Sequence, residues 1–410
     1  MKEKIKFLFS EKKKESNPNL RSGAISFGKV IYKDDEKVPF ETKKSYQVVN
    51  KGEFLINPLN LNYDLKSLRI ALSEIDVVVS QGYIVLQLKK EDASRIYLSY
   101  LLHIFDILFM KSLGAGVRQT ISFNDLANCF LPLPPKQEQI QIADYLDKKT
   151  AQIDKAVTLK ERLIALLKEQ RQILINRAVT QGLDPNVPMK ESGVEWIGKI
   201  PAHWEVRKFR FLFDFAKGLN ITKENLQKEG IPCVNYGEIH SKYGFEVIPE
   251  RDSLKCVDTS YLKTNPKSLL KSGDFVFADT SEDVEAAGSF TYLNSDTPTF
   301  AGYHTIIARA KTPIFNRFMA YFFSSDAFKD QVRSSVRGVK VYSITNAILK
   351  DTRVCLPQRE EQEKIVEFLD RKISDIDRLI ALQKQGIEKL KEYRESLIDA
   401  VVTGKVKKVK

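Results

Sequence analysis

The stretch LPLPPKQEQIQIADYLDKKTAQID runs from Leu131 to Asp154, and LPQREEQEKIVEFLDRKISDID runs from Leu356 to Asp377. The chain says nearly the same thing twice, with most of a domain between the copies. Asp147 aligns with Asp370, an offset of 223 residues, and this register holds without a gap from Pro134/Pro357 to Thr180/Thr403. About 18 of roughly 47 aligned positions are identical, which marks a duplication rather than two unrelated helices of similar composition. Glu138/Glu361, Gln139/Gln362, Leu146/Leu369, Asp154/Asp377 and Arg171/Arg394 are among them.

Fainter echoes lie upstream of each copy. Gly52-Glu53-Phe54 resembles Gly273-Asp274-Phe275, Gly82-Tyr83 resembles Gly302-Tyr303, and KIKFLF (Lys4 to Phe9) resembles KFRFLF (Lys208 to Phe213). The whole chain therefore reads as a tandem repeat of a variable domain followed by a far more similar segment. The second variable domain is about 17 residues longer before its first shared glycine. The similar part does one job twice, and the dissimilar parts do related but different jobs.

The similar segments predict long helices. Proline stands before each start, and Glu138 or Glu361 suits the positive end of the helix. Apolar residues then recur at steps of four and three, the spacing of a coiled-coil seam. In the first copy these are Ile142, Leu146, Ile153, Ala156, Leu163, Leu167 and Leu174; in the second, Ile365, Leu369, Ile376, Leu379, Leu390 and Leu397. Lys160, Gln383 and Gly386 interrupt the seam, and the other reading is two amphipathic helices packed on their own domains. Gly182 and Gly404 stand where a helix end wants positive φ.

A helix of this length spans about 68 Å. The connector from Gln181 to His203 reaches only about 75 Å fully stretched, so parallel pairing strains it. Antiparallel pairing needs no return. The expected fold is α+β: two mixed α/β heads held apart by two long antiparallel coiled-coil helices, with pseudo-two-fold symmetry. The expected boundaries are residues 1–133 for the first head, 134–182 for its helix, and 183–203 for the linker. Residues 204–355 form the second head, 356–404 its helix, and 405–410 a basic tail.

Each head carries strand-like runs: YQVVNKGEFLI from Tyr46, DVVVSQGYIVLQL from Asp76, GDFVFA from Gly273 and YHTIIARA from Tyr303. Each also carries a helix-like stretch, RIYLSYLLHIFDILFMKSL or NRFMAYFFSSDAFKDQVRSS. A short basic, glycine-containing loop follows: GAGVRQT (Gly114 to Thr120) or VRGVKVY (Val336 to Tyr342). Glycine lets backbone approach a ligand, and Arg118, Arg337 and Lys340 can reach phosphates or guanine edges. Gln119, Arg333, Tyr83, Tyr303 and His304 complete the candidate contact set. A solvated turn is the plainer account of either loop taken alone, and core packing is the plainer role for the two tyrosines.

The formal charge of +12 suits a polyanionic partner such as nucleic acid. No phosphate-binding loop, dinucleotide fingerprint or metal-ligand spacing is present. The four cysteines form no CxxC pair, which fits a reducing cytoplasm. The most apolar window, Tyr97 to Met110, is too short for a membrane span, and the N-terminus does not read as a secretory signal.

Together with MKESGVEWIGKIPAHWEV (Met189 to Val206), the two helix starts resemble the specificity subunit of type I restriction-modification systems. The likeness covers the whole chain. It implies that each head is a target recognition domain reading one half of a split sequence in double-stranded DNA. It implies that the paired helices set the gap, with half-site centres about one helical turn apart, roughly 10 base pairs. It implies two methyltransferase subunits and further restriction subunits as partners, and no membrane. S-adenosylmethionine, ATP and Mg2+ belong to those partners; this chain binds no cofactor and has no active site. One departure stands out. WIGKIPAHW (Trp196 to Trp204) precedes the second head only, so either the first head lacks that edge or the chain begins late relative to its relatives. The alternative reading is a two-headed coiled-coil adaptor without DNA specificity.

Overall fold

Proline followed by an acidic turn opens both long helices in the computed structural model, which describes residues 2–60, 68–110, 119–336 and 342–406. The helices are Lys136–Gln181 and Arg359–Val402. The repeated glutamine has a local job at each start. Gln139 Nε2 donates to the Pro134 carbonyl at 2.8 Å, and Gln362 Nε2 donates to the Pro357 carbonyl at 2.9 Å. Each side chain thus ties the first turn to the proline segment before it. Gly182 and Gly404 end the helices at φ of 74° and 73°.

The chain divides into two compact units, Met1–Glu161 with Lys384–Lys410, and Arg162–Gln383. Each unit holds one head, the start of that head's own helix and the end of the other helix. In the first, Ile142, Ala143 and Leu146 share a core with Ile398, Val401 and Val402. In the second, Ile365, Val366 and Leu369 share a core with Ile175, Ala178 and Val179. Within each unit, then, the beginning of one helix lies beside the end of the other, which is antiparallel pairing.

The heads repeat one plan. The first has a four-stranded antiparallel sheet in the order Phe9–Glu11, Ile84–Leu88, Phe54–Ile56, Ile70–Leu72. The second has Phe213–Lys217, Thr305–Ala310, Phe275–Ala278, Phe290–Leu293 in the same order, with Glu246–Val247 added in parallel at the edge. The shared Gly-acid-Phe motif is the turn that opens the third of these strands. Gly52 and Gly273 adopt φ of 90° and 87°, which an L side chain avoids. The acid that follows is buried and closes the turn. Glu53 accepts from the Asn50 backbone N–H at 2.7 Å and meets Lys12 at 3.0 Å. Asp274 accepts from the Lys271 N–H at 2.9 Å and meets Arg309 at 2.7 Å.

The second head's extra length builds a further sheet, ordered Lys255–Val257, Ile231–Val234, Thr299–Ala301, Leu269–Leu270. Its first-head counterpart is only the pair Gln47–Val49 and Val77–Val79. The expected helix NRFMAYFFSSDAFKDQVRSS is two helices, Asn316–Ser324 and Asp326–Arg333. Ser325 breaks it, because its side chain caps the second piece by accepting from the Phe328 N–H. The run from Tyr46 to Ile56 is likewise two strands, divided at Gly52.

The seam departs from the expected register. Ile153, Leu167 and Ile376 are buried as expected, and Leu174, Leu390 and Leu397 are half-buried. Leu163 and Leu379 are each 42% exposed, and their neighbours Ile164 and Ile380 turn inward instead. A straight helix has 3.6 residues per turn, so a strict seven-residue stripe drifts about 20° per repeat. With Leu146 and Leu369 fixed in the head cores, the second stripe slides by one residue. Ile142, Leu146, Ile365 and Leu369 therefore pack chiefly into the heads. Gly386 leaves room for the Lys160 side chain, whose Nζ would lie 3.1 Å from an added Cβ.

Each head also grips its helix through one tyrosine. Tyr100 Oη donates to Asp147 at 2.8 Å, and Tyr321 Oη donates to Asp370 at 2.5 Å. The identical pair Asp147/Asp370 is thus an anchor of each head on its helix. Arg317 adds a bond to Asp370 at 2.7 Å in the second head.

Candidate nucleic-acid interface

In both heads the segment after the basic loop becomes a two-residue strand. Gln119–Thr120 pairs with Leu59–Asn60, and Tyr342–Ser343 pairs with Thr280–Ser281. The loop therefore returns to the same edge in each copy. Arg118, Arg337 and Lys340 lie outside the described residues, as does the side chain of Gln119.

In the second head this pairing closes a cleft of about 540 Å³. Lys217, Asp279, Thr280, His304, Ser343, Thr345 and Asn346 line it. His304 sits in the left-handed region at φ 54°, uncommon for a side chain of its size. Two contacts to Asp279 hold it there, and a third fixes that carboxylate. Its carbonyl accepts from the Asp279 N–H at 3.0 Å, its Nδ1 lies 3.2 Å from Asp279 Oδ1, and Thr280 Oγ1 donates to that same oxygen at 2.7 Å. Its ring is still more than half exposed. Backbone strain at an exposed polar residue is the pattern of a functional position.

The residues behind it explain the Gly-Tyr pair. A Cβ on Gly302 would lie 1.9 Å from Asn235 Oδ1, and Asn235 is fully buried. Only glycine lets this turn pass, and the turn carries Tyr303 and His304 to the surface. Tyr236 stands edge-on to both rings, at 5.4 and 5.3 Å between centroids. His240 Nε2 donates to the Thr280 carbonyl at 2.9 Å and steadies the facing strand. The result is an exposed imidazole, a lysine, a carboxylate acceptor, hydroxyls and an amide on one concave face. Such groups can bond base edges and phosphate oxygens.

The first head presents a different surface. Tyr83 is half-buried against the Val49, Val77 and Val85 cluster, and burial pushes its phenol up. It packs on that cluster, and its environment differs from that of Tyr303, which stands beside Tyr236 and His304. Arg333 is also committed within its head. It meets Asp330 at 3.0 Å and Glu285 at 3.1 Å. Lys217, Asp279, Thr280 and Asn346 were not singled out by sequence.

The linker that precedes the second head is a hairpin, Met189–Glu191 with Lys199–Pro201, closed by Trp204. Trp204 is fully buried, and its Nε1 donates to Glu361 at 3.0 Å, while His203 Nε2 lies 2.8 Å from the same oxygen. One repeated glutamate thus joins the linker to the start of the second long helix.

A family model described as the type I restriction modification DNA specificity domain matches residues 21–169 and 201–392, one match on each copy of the repeat. The chain belongs to this family. Its members supply the DNA specificity of type I restriction-modification enzymes and are non-catalytic. A type I restriction enzyme specificity subunit of Methanocaldococcus jannaschii, MjaVIII, is 24% identical over 80% of this chain and 74% of its own length. The MjaX specificity subunit of the same organism, named putative, is 23% identical over 93% and 84%. The EcoKI specificity subunit of Escherichia coli K12 is 23% identical over 51% and 44%. Among solved structures, a chain from a type I restriction-modification assembly superposes with a TM-score of 0.70 at 16% identity, covering 98% of this chain and 97% of that one. The HsdS subunit of Thermoanaerobacter tengcongensis gives 0.52 at 16% identity and the same coverage. These two likenesses establish the fold: mixed heads on two long antiparallel helices. Among the described residues of this specificity-family chain, no helix is long and apolar enough to cross a membrane.

Proposed function

We propose that this chain reads a bipartite DNA target, one half-site per head, for a type I restriction-modification complex. The observation that carries the reading is the inequality of the repeat. The helices and their anchors, Tyr100–Asp147 and Tyr321–Asp370, are the same twice, whereas the surfaces at the Gly-Tyr turns differ. Unlike heads on like helices suit two different half-sites held at one spacing by one kind of partner. The domain limits that go with this are heads at residues 1–133 and 204–355, spacer helices at 134–182 and 356–404, a linker at 183–203 and a tail at 405–410. Methyltransferase and restriction subunits dock on the shared parts; they bring S-adenosylmethionine, ATP and Mg2+. Arg118 and Gln119 contact DNA from the first head, and Arg337, Lys340, Tyr303 and His304 contact it from the second. The basic charge supports phosphate contacts, whose affinity falls steeply with salt as counterions are released.

The test is selection of bound duplexes from a random pool by the chain in complex with its methyltransferase subunit. Two short specified blocks at constant spacing are expected. Binding without sequence enrichment would favour the adaptor reading instead.

A further inference from the structure

The sequence KIKFLF in the first head and KFRFLF in the second share Lys4/Lys208, Phe7/Phe211, Leu8/Leu212 and Phe9/Phe213. Each forms one helical turn, Ile5–Leu8 or Phe209–Leu212, that enters the first strand of the sheet. Core packing accounts for two of the shared apolar pairs. Leu8 and Phe9 are 0% exposed, and Leu212 and Phe213 are 6% and 1% exposed. It does not account for the third. Phe7 is 59% exposed and Phe211 67%. Two heads that differ almost everywhere on their surfaces have kept the same exposed aromatic at the same place.

Whatever Phe7 and Phe211 touch is therefore common to both heads. Their position separates it from the candidate DNA face. In the second head, Phe213 pairs with Ala310, at one end of the strand Thr305–Ala310, and His304 stands just before the other end. Six residues of strand place those ends about 17 Å apart. In the first head Phe9 pairs with Leu88, and Tyr83 precedes the opposite end of that strand at Ile84. The exposed phenylalanines thus lie on the side of each sheet away from the Gly-Tyr turn. They lie beside the strand that feeds the long helix: Lys4 faces Phe130, and Lys208 faces Arg353.

We infer that Phe7 and Phe211 are the matching anchors of two docking sites for the same protein partner, the methyltransferase subunit, one copy per head. This inference rests on the functional reading above and names where that partner seats. An exposed aromatic at the centre of a contact is a common form of interface hot spot. The rims are basic: Lys6 lies over Phe7 and Lys4 over the neighbouring Phe130, while Lys208 and Arg210 flank Phe211 in sequence and are partly met by Asp351. The partner surface is therefore an apolar pocket with acidic surroundings.

The experiment is native mass measurement and titration of the full chain with its methyltransferase subunit, for wild type, Phe7→Ala, Phe211→Ala and the double variant. Both side chains are exposed, so the variants fold. Wild type is expected to carry two methyltransferase subunits, each single variant one at unchanged affinity, with the other weakened at least about tenfold. The double variant is expected to carry neither. Two copies held with wild-type affinity by both single variants would overturn the docking sites and leave the functional reading standing. Loss of DNA affinity by the chain alone in Phe7→Ala or Phe211→Ala would assign the surface to DNA and equally overturn them. A wild-type chain that binds no methyltransferase subunit sinks the functional reading and these sites with it.

Discussion

Arg171 on the first long helix meets Asp377 on the second, with Nη1 3.0 Å from Oδ1. The repeat turns this contact into a pair of contacts, because Asp154 matches Asp377 and Arg394 matches Arg171. Arg394 indeed lies 3.7 Å from Asp154. Identity at these four positions is thus explained by two equivalent bridges, one in each compact unit. The Arg171–Asp377 bridge is about half exposed, so it contributes register more than stability. Reversing one partner, as in Asp377→Arg, is expected to lower stability by about 0.5 kcal/mol, and the swap Arg171→Asp with Asp377→Arg to recover most of it. A double-mutant cycle in urea that gave no coupling would remove the bridge from the account.

The linker depends on Glu361. Replacing Trp204 with Ala is expected to cost about 3–5 kcal/mol, as for other fully buried large aromatics. Glu361→Ala leaves the indole N–H buried without an acceptor and is expected to cost about 1–3 kcal/mol. Chemical denaturation followed by tryptophan fluorescence checks both. Equal stability of Glu361→Ala and wild type would show that the glutamate does not hold the linker.

A pH effect is expected where the first head meets the end of the second helix. Burial alone would push the Glu395 carboxyl up. The hydrogen bond from His103, at 2.5 Å, and the charges of His103 and Arg394 outweigh it and hold Glu395 below the usual glutamate range. A carboxyl depressed in the folded state stabilises it above the unfolded pKa of about 4.3, and that contribution is lost as pH falls through the folded value. The thermal midpoint of Glu395→Gln should therefore lie below that of wild type at neutral pH and converge with it in acid. A constant difference from pH 6 down to pH 3 would contradict this.

His304→Ala is expected to weaken recognition of one half-site and leave the other intact. Gly302→Ala should do more harm than its small size suggests, since its Cβ has no room beside Asn235 and the turn must shift. Footprinting of each half-site separately reads both effects. Equal weakening of both halves by His304→Ala would remove this cleft from half-site recognition.

Much of this was legible in the sequence, for a physical reason. Long helices need a sustained apolar period and marked ends, and Pro-Gln-Glu starts, Asp147/Asp370 and Gly182/Gly404 supply them over many residues. The seam itself was misread at Leu163 and Leu379. Spacing alone does not say where a helix stops facing a domain and starts facing another helix. The break at Ser325 was missed because its cap competes with an apolar pattern that runs through it. The site was least legible. Lys217, Asp279 and Asn346 are far apart in sequence; the strand Thr305–Ala310 brings the first two together, and the pairing of Thr280–Ser281 with Tyr342–Ser343 adds the third. Tyr83 and Tyr303 share a motif, yet one packs on a valine cluster and the other against the rings of Tyr236 and His304, a difference set by residues elsewhere in each head.

The most direct test of two-head recognition is methylome sequencing of a methylation-free host that expresses this chain with its methyltransferase subunit. The account predicts one split motif with a fixed gap, absent when this chain is omitted, whose two halves respond separately to substitutions in the two heads. A continuous motif, or a methylation pattern indifferent to this chain, would contradict it.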